Sequence, residues 1–236
     1  MDKISFIIPN SYNKANDNKT NDNKTNDNKT NDNKTNDNNT YTKITTNVYR
    51  FNSVNMIIDK STLYNDAFKY RQIGDLYKSI ELFKLYEKEL DDCIVDTYKT
   101  YELYINLALL TAETNGSFES VSKYYGKATK LCPDRAEPYY YFAIYCNKNH
   151  KYKDAYELLK TAINLPYEDI KNKYENVQMN AYGKHLYDEL SVTCYWLQKY
   201  EESKVYLLKI INDDEFIELK PRLSANLEQI EKELHK

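Results

Sequence analysis

Between residues 116 and 165 the chain writes one pattern twice. Gly116, Phe118, Val121, Tyr125, Ala128 and Leu131 return 34 residues later as His150, Tyr152, Ala155, Leu159, Ala162 and Leu165. A fixed period of this length, running turn, aromatic, small, large, small, leucine, is the mark of stacked helical hairpins. The small residues let two helix backbones approach, and the large ones fill the space opposite. One such hairpin cannot bury its apolar face alone, so the echo demands neighbours.

The same template fits twice more. Leu63, Ala67, Tyr70, Gly74, Leu76, Ser79, Phe83 and Tyr86 make a first hairpin, and Tyr187, Ser191, Cys194, Gln198, Tyr200, Ser203, Leu207 and Ile210 a fourth. Gly74 to Gly116 is an interval of 42, and Tyr152 to Tyr200 one of 48, so both flanking intervals are longer than the central one. The spacing predicts that residues 91–96 hold part of the first insertion. It predicts that Tyr167 to Gly183 carry the second, as a loop plus an extended helix. Pro133 and Pro166 each follow the second helix of a hairpin and deny the next turn its N–H. Pro221 opens a last helix whose Leu223, Leu227, Ile230 and Leu234 form one apolar stripe backed by Glu228, Lys232 and Glu233, the polar outer face that the end of a solenoid requires. The expected fold is all-α: a right-handed α-solenoid of about four hairpins plus a C-terminal capping helix, over residues 60–236. A chain with only 4 Gly and 5 Pro suits it.

The part of the chain before Lys60 reads differently. Residues 1–15 hold a short apolar run, Ile4 to Ile8, too short for a signal peptide. From Asn16 to Thr40 the unit Asn-Asp-Asn-Lys-Thr occurs five times, with Asn39 replacing Lys in the last copy. Each unit has one acid, one base and nothing to bury, so ordering it would cost chain entropy without return, and a disordered tract is expected. Every copy spells Asn-x-Thr, the N-glycosylation acceptor pattern. A five-residue repeat makes that pattern automatically, and the tract is expected to be unmodified filler. Residues 41–59, with Val48, Tyr49, Phe51, Val54, Met56, Ile57 and Ile58, read as an irregular connector or a short strand pair.

A net charge of -3, spread over both parts of the chain, indicates no basic stripe for nucleic acid. The longest apolar runs fall far short of the roughly 20 residues of a membrane span. Cys93, Cys132, Cys146 and Cys194 make no Cys-x-x-Cys pair, and His150, His185 and His235 do not join them at zinc-like spacing. No metal or cofactor is expected. The cysteines read as reduced thiols of a cytoplasmic protein, with Cys146 and Cys194 at one inward position of successive repeats, as buried small hydrophobes.

The Gly-x-aromatic-x-x-small-x-x-x-large-x-x-Ala pattern closed by Pro133 resembles the tetratricopeptide (TPR) repeat family over about residues 60–213. Within it, Arg135-Ala136-Glu137-Pro138, the stretch Tyr152 to Pro166, Tyr187-Asp188-Glu189-Leu190-Ser191, and Arg222 with Asn226 are similar in order and spacing to the helical region that follows the catalytic domain in some family 2 glycosyltransferases, giant-virus ones included. That likeness runs over residues 116–230. Lys3 to Pro9 followed by Ser11-Tyr12-Asn13-Lys14 also resembles the first strand and nucleotide-contacting loop of that family. The repeat tract follows at once, though, and no Asp-x-Asp pair is present. The resemblance therefore implies an accessory or remnant helical piece without the catalytic domain.

Arrays of the TPR kind bind along a concave face lined by the first helix of each hairpin. The template places Tyr64, Phe68 and Arg71 there from the first hairpin, Asn106 and Leu110 from the second, Tyr140, Ile144 and Asn147 from the third, and Asp188, Val192 and Tyr195 from the fourth. Aromatics in such a groove favour a protein or peptide partner; several of these tyrosines could equally pack against a neighbouring repeat or the N-terminal segment. Asp188 and Glu189 point about 100 degrees apart on a helix and do not converge on one substrate atom. One of them is expected to pair with Arg222 or a backbone donor and the other to be solvated. His185 has a carboxylate at helical spacing but no nucleophile beside it. Trp196 is expected to pack at the hairpin turn. The expected function is that of a non-catalytic scaffold.

Overall fold

The computed structural model describes residues 48–51, 54–57, 60–90 and 97–236. The repeat tract, its acceptor asparagines, the apolar run at Ile4 to Ile8 and the insertion at residues 91–96 lie outside the described residues. Within the connector, β1 (Val48–Phe51) pairs antiparallel with β2 (Val54–Ile57), Val48 opposite Ile57 and Phe51 opposite Val54. This pair belongs to a unit of its own, apart from residues 60–236.

The helical unit runs α1 (Lys60–Gln72), α2 (Leu76–Lys88), α3 (Thr97–Glu113), α4 (Phe118–Leu131), α5 (Glu137–Lys148), α6 (Tyr152–Ala162), a short α7 (Tyr167–Lys171), α8 (Lys184–Trp196), α9 (Tyr200–Leu208) and α10 (Lys220–Leu234). Four hairpins, α1/α2, α3/α4, α5/α6 and α8/α9, stack into a right-handed α-solenoid closed by α10. The second helices begin at Leu76, Phe118, Tyr152 and Tyr200, at the unequal intervals that the sequence predicts.

All four first helices end in the same way. Gly74, Asn115, His150 and Gln198 take the left-handed conformation, with φ of 82°, 56°, 57° and 60°. The next residue in each case sends its N–H back along the helix: Asp75 to the Tyr70 carbonyl, Gly116 to Thr111, Lys151 to Cys146 and Lys199 to Cys194, at 2.8–2.9 Å. This Schellman closure satisfies carbonyls that a helix end would otherwise leave orphaned. In the first, third and fourth hairpins the residue after the turn is already the N-cap of the next helix. The second hairpin has one residue more: Gly116 closes α3, and Ser117 caps α4 by accepting from the Ser120 amide at 3.2 Å.

Small residues set the approach within each hairpin. Ala67, Ala108, Ala143 and Ser191 on the first helices are wholly buried, as are Ser79, Val121, Ala155 and Ser203 on the second. Ser79 donates to the Ala67 carbonyl at 2.8 Å, and Ser203 donates to the Ser191 carbonyl at 2.7 Å, the same tie at the two ends of the array. Stacked aromatics join one hairpin turn to the next. Phe118 lies on Tyr145 with centroids 5.6 Å apart, and Tyr152 on Trp196 at 5.5 Å and nearly parallel. Trp196 is thus a packing residue with part of its ring in solvent, as expected.

The cap follows the predicted stripe. Leu223 and Ile230 are fully buried, with Val192, Leu207, Ile210 and Phe216, and Leu227 and Leu234 pack at the rim. The second insertion differs from expectation. Instead of an extended helix it holds the short α7, an irregular stretch and one 3-10 turn at Met179–Ala181, and α8 is no longer than α1 or α2. Part of the first insertion lengthens α3 to 17 residues. No helix among the described residues is long and apolar enough to cross a membrane.

Candidate functional site: the face of the first helices

The eleven residues expected on this face mostly hold the array together. Tyr64 donates its hydroxyl to Glu102 of α3 at 2.9 Å, and Arg71 donates to the Asn106 amide oxygen. Asn147 donates to Thr193 at 2.9 Å and to Glu189 at 3.3 Å, both on α8. Arg222 of the cap clasps Asp188 with two bonds, at 3.1 and 2.6 Å. Asn106, Asn147 and Asp188 are buried in these ties. Asp188 thus has the expected arginine, but Glu189 is buried beside Asn147 and not solvated.

The apolar members are core residues. Leu110 is 0 % exposed and Val192 1 %, the latter inside the cluster under α10. Tyr140 and Ile144 are buried as well. Phe68 packs edge-on against Tyr64 and Phe83, with centroids 5.1 and 5.2 Å away, and Tyr195 against Trp196 and Tyr200. Of the eleven, only Phe68, Arg71 and Tyr195 keep intermediate exposure. His185 lies 3.4 Å from Glu215, and its ring packs on Phe216.

For the second hairpin the cause is a shift of one position. The extra turn residue Gly116 brings the first helix one position nearer to its counterpart in hairpin one than the second helix is to its own, so Ala108 stands where Ala67 stands. The position of Phe68 falls to Leu109 and that of Gln72 to Glu113. Leu109 is half-buried and Glu113 exposed, while Leu110 turns inward. The Asn115-Gly116 pair, two residues suited to a left-handed turn, was the available sign.

The remaining polar chemistry gathers at the start of α5. Arg135 and Glu137 form an ion pair at 2.5 Å, both side chains 2 % exposed. Glu137 also accepts from the Tyr182 hydroxyl at 2.9 Å and from the Gln178 amide at 3.0 Å; Arg135 also donates to the Asn176 carbonyl at 3.3 Å. The guanidinium lies 4.3 Å from the centroid of Tyr101 and 5.3 Å from that of Tyr174. Burial, followed by the charge of Glu137, pushes the Tyr101 and Tyr182 hydroxyls up. The residues that meet this pair, 172–182 of the second insertion, form a strap across the starts of α5 and α3. Lys173 and Tyr174 hold Asp134, Asn180 accepts from Tyr141, and Asn176 donates to Tyr98, which donates in turn to Glu102.

Cys146 and Cys194 are 0 % exposed, and burial pushes both thiols up to about 12, so neither offers a thiolate near neutrality. Among the described residues no three His, Cys, Asp or Glu side chains converge as a metal site requires.

Solved structures share this architecture. A putative kinesin light chain from Podosopora anserina, with nearly identical TPR-like repeats, superposes with a TM-score of 0.52 at 13% identity, over 74% of this chain and 86% of that one. A structure of MamA gives 0.51 at 13% identity, covering 75% and 85%. Pseudomonas aeruginosa pilF gives 0.51 at 12% identity, covering 72% and 67%. The fold is a TPR-like solenoid. No protein-family model and no curated protein sequence matches the chain. The ties at Arg71 and Asn147 join successive hairpins of this TPR-like array, and the one at Asp188 joins the fourth hairpin to α10.

Proposed function

We propose that the chain is a non-catalytic scaffold that binds a protein or peptide partner on the face of its first helices, on the side of hairpins one and two. The observation that carries this reading is the gradient of closure along that face. In hairpins three and four Tyr140, Ile144, Asn147, Asp188 and Val192 are buried, and Tyr195, the one half-open member of the set there, packs against Trp196 and Tyr200. In hairpins one and two, Phe68, Arg71 and Leu109 stay partly open, with Asn65, Gln72 and Glu113 exposed around them. Half-open apolar groups rimmed by polar ones, on a surface fixed by inter-helix ties, suit an extended or helical segment of a partner. Photocrosslinking side chains placed at Gln72 and Glu113 should capture a protein in cells that carry the chain, and the same groups at Lys123 and Glu157 on the second helices should not. Equal capture from both faces would contradict the reading.

A second reading is an accessory helical piece of a glycosyltransferase system. It is favoured by the jobs that the resembling residues perform: Arg135 and Glu137 form the buried pair under the strap, and Asp188 and Arg222 tie on the cap. Co-purification of a catalytic glycosyltransferase with the chain supports this reading, and sugar-nucleotide turnover by the purified chain itself would contradict the non-catalytic one.

A further inference from the structure

The strap is bound as a ligand would be bound. Of residues 172–180, seven are exposed and two half-buried; none is buried. Tyr174 packs its ring on the cluster of Tyr101, Ala128 and Cys132, and the other contacts that hold them are polar. At the centre the contacts are to main chain: Arg135 reads the carbonyl of Asn176 and Glu137 reads the N–H of Gln178, two positions along. They are offered from a bend: Asn176 is left-handed, with φ of 51°, and Gln178 is extended just before the 3-10 turn. The reading pair keeps most of its support without residues 172–180. Arg135 and Glu137 hold each other, and Glu137 is also held by Tyr182, which is buried and beyond the exposed stretch. The strap also leaves the site incompletely satisfied. Arg135 Nη1 and the Tyr101 hydroxyl are buried and make no hydrogen bond, although both residues are more than nine-tenths buried. Buried donors without acceptors are costly, and an occupant bringing one more acceptor to this point would remove that cost.

We propose that Arg135 and Glu137, with Tyr98 and Tyr141 beside them, form a main-chain-reading site for a bent peptide segment, and that residues 172–180 are its displaceable internal occupant. The inference rests on the reading of the chain as a partner-binding scaffold, and names the chemistry of one segment: a bent stretch offering a carbonyl to Arg135, an N–H to Glu137, an amide side chain to Tyr98 and a further acceptor for Arg135 Nη1. The site then reports occupancy through the array, because Asn176 is linked through Tyr98 and Glu102 to Tyr64 of the first hairpin.

Two measurements on the full chain test this. In the first, residues 172–180 are replaced by Gly and Ser, leaving Ala181 and Tyr182, and binding of a fluorescein-labelled peptide of the sequence 172–180 is followed by anisotropy. The variant should bind it roughly ten-fold or more tightly than the unaltered chain, whose site is already filled. The same peptide methylated on the Gln178 nitrogen should lose most of that gain. A variant that keeps its helical circular dichroism and binds no better than the unaltered chain overturns the proposal. The second needs no variant: the Gln178 amide should exchange about 100-fold faster than the amides of Ala143 and Ile144 in α5, as a locally opening segment does. Exchange as slow as in α5 makes the strap a fixed part of the core and also overturns the proposal. Neither result bears on crosslinking at Gln72 and Glu113, so this inference and the reading beneath it fail separately.

Discussion

Two glycines with opposite duties show how finely single positions are set. A Cβ on Gly116 would lie 2.4 Å from Thr111 Cγ2 and 2.8 Å from the Thr111 carbonyl oxygen, the acceptor of the bond that closes α3. Gly126 sits exposed in the middle of α4, with nothing within 4 Å of such a Cβ. Gly116→Ala should therefore destabilise by about 1–3 kcal/mol through overpacking. Gly126→Ala should stabilise by about 0.5–1 kcal/mol, because alanine loses less chain entropy in a helix. Urea unfolding of both variants checks the pair. From sequence the first glycine was legible as a turn residue, but its reason was not: the left-handed position is Asn115, and the glycine is needed for close approach.

At the scale of elements the helices and their order were readable, because a fixed period with set small and large positions leaves one way to pair them. Register within the second hairpin was not. Spacing between second helices stays the same whether the turn before them has one residue more or less, so the shift that turns Leu110 inward and Leu109 outward is silent in that count. Burial of the polar face residues was also hidden, since a helical template shows which side a residue faces but not how near the next helix comes. The junction of α8 with α10 makes the consequence measurable. Asp188 and Arg222 have side chains only 7 and 11 % exposed, and removing one partner strands the other. Arg222→Ala should cost about 3–5 kcal/mol, whereas replacing both residues with apolar side chains of similar volume should recover most of that loss. A double-mutant cycle read by chemical denaturation separates the two; equal, small losses would mean that the cap is held by its apolar stripe alone.

For the whole molecule, half-buried and buried tyrosines and buried thiols give stability a direction in pH. Burial raises Tyr98, Tyr141, Cys146 and Cys194 each to about 12, and it raises Tyr125 in the same sense. Unfolded, the thiols ionise near 9.0 and the tyrosines near 10.0. Over that window the unfolded chain releases protons that the folded chain keeps, so stability is full below about pH 9 and falls as pH rises toward 12. Thermal melts from pH 8 upward should show a steadily falling Tm, and a flat profile to pH 11 would mean that these groups are not buried as described.

The central claim is that residues 60–236 form four stacked hairpins in one TPR-like array, and amide hydrogen exchange resolved by residue tests it most directly. The first turn of each second helix lacks intrahelical acceptors for its N–H groups, so fast-exchanging breaks should fall at Leu76, Phe118, Tyr152 and Tyr200, at the same unequal intervals as the repeat itself. Slow blocks should lie between them in α3, α5 and α8. Protection running unbroken through Phe118 or Tyr152, or a fast block inside α5, would contradict the array.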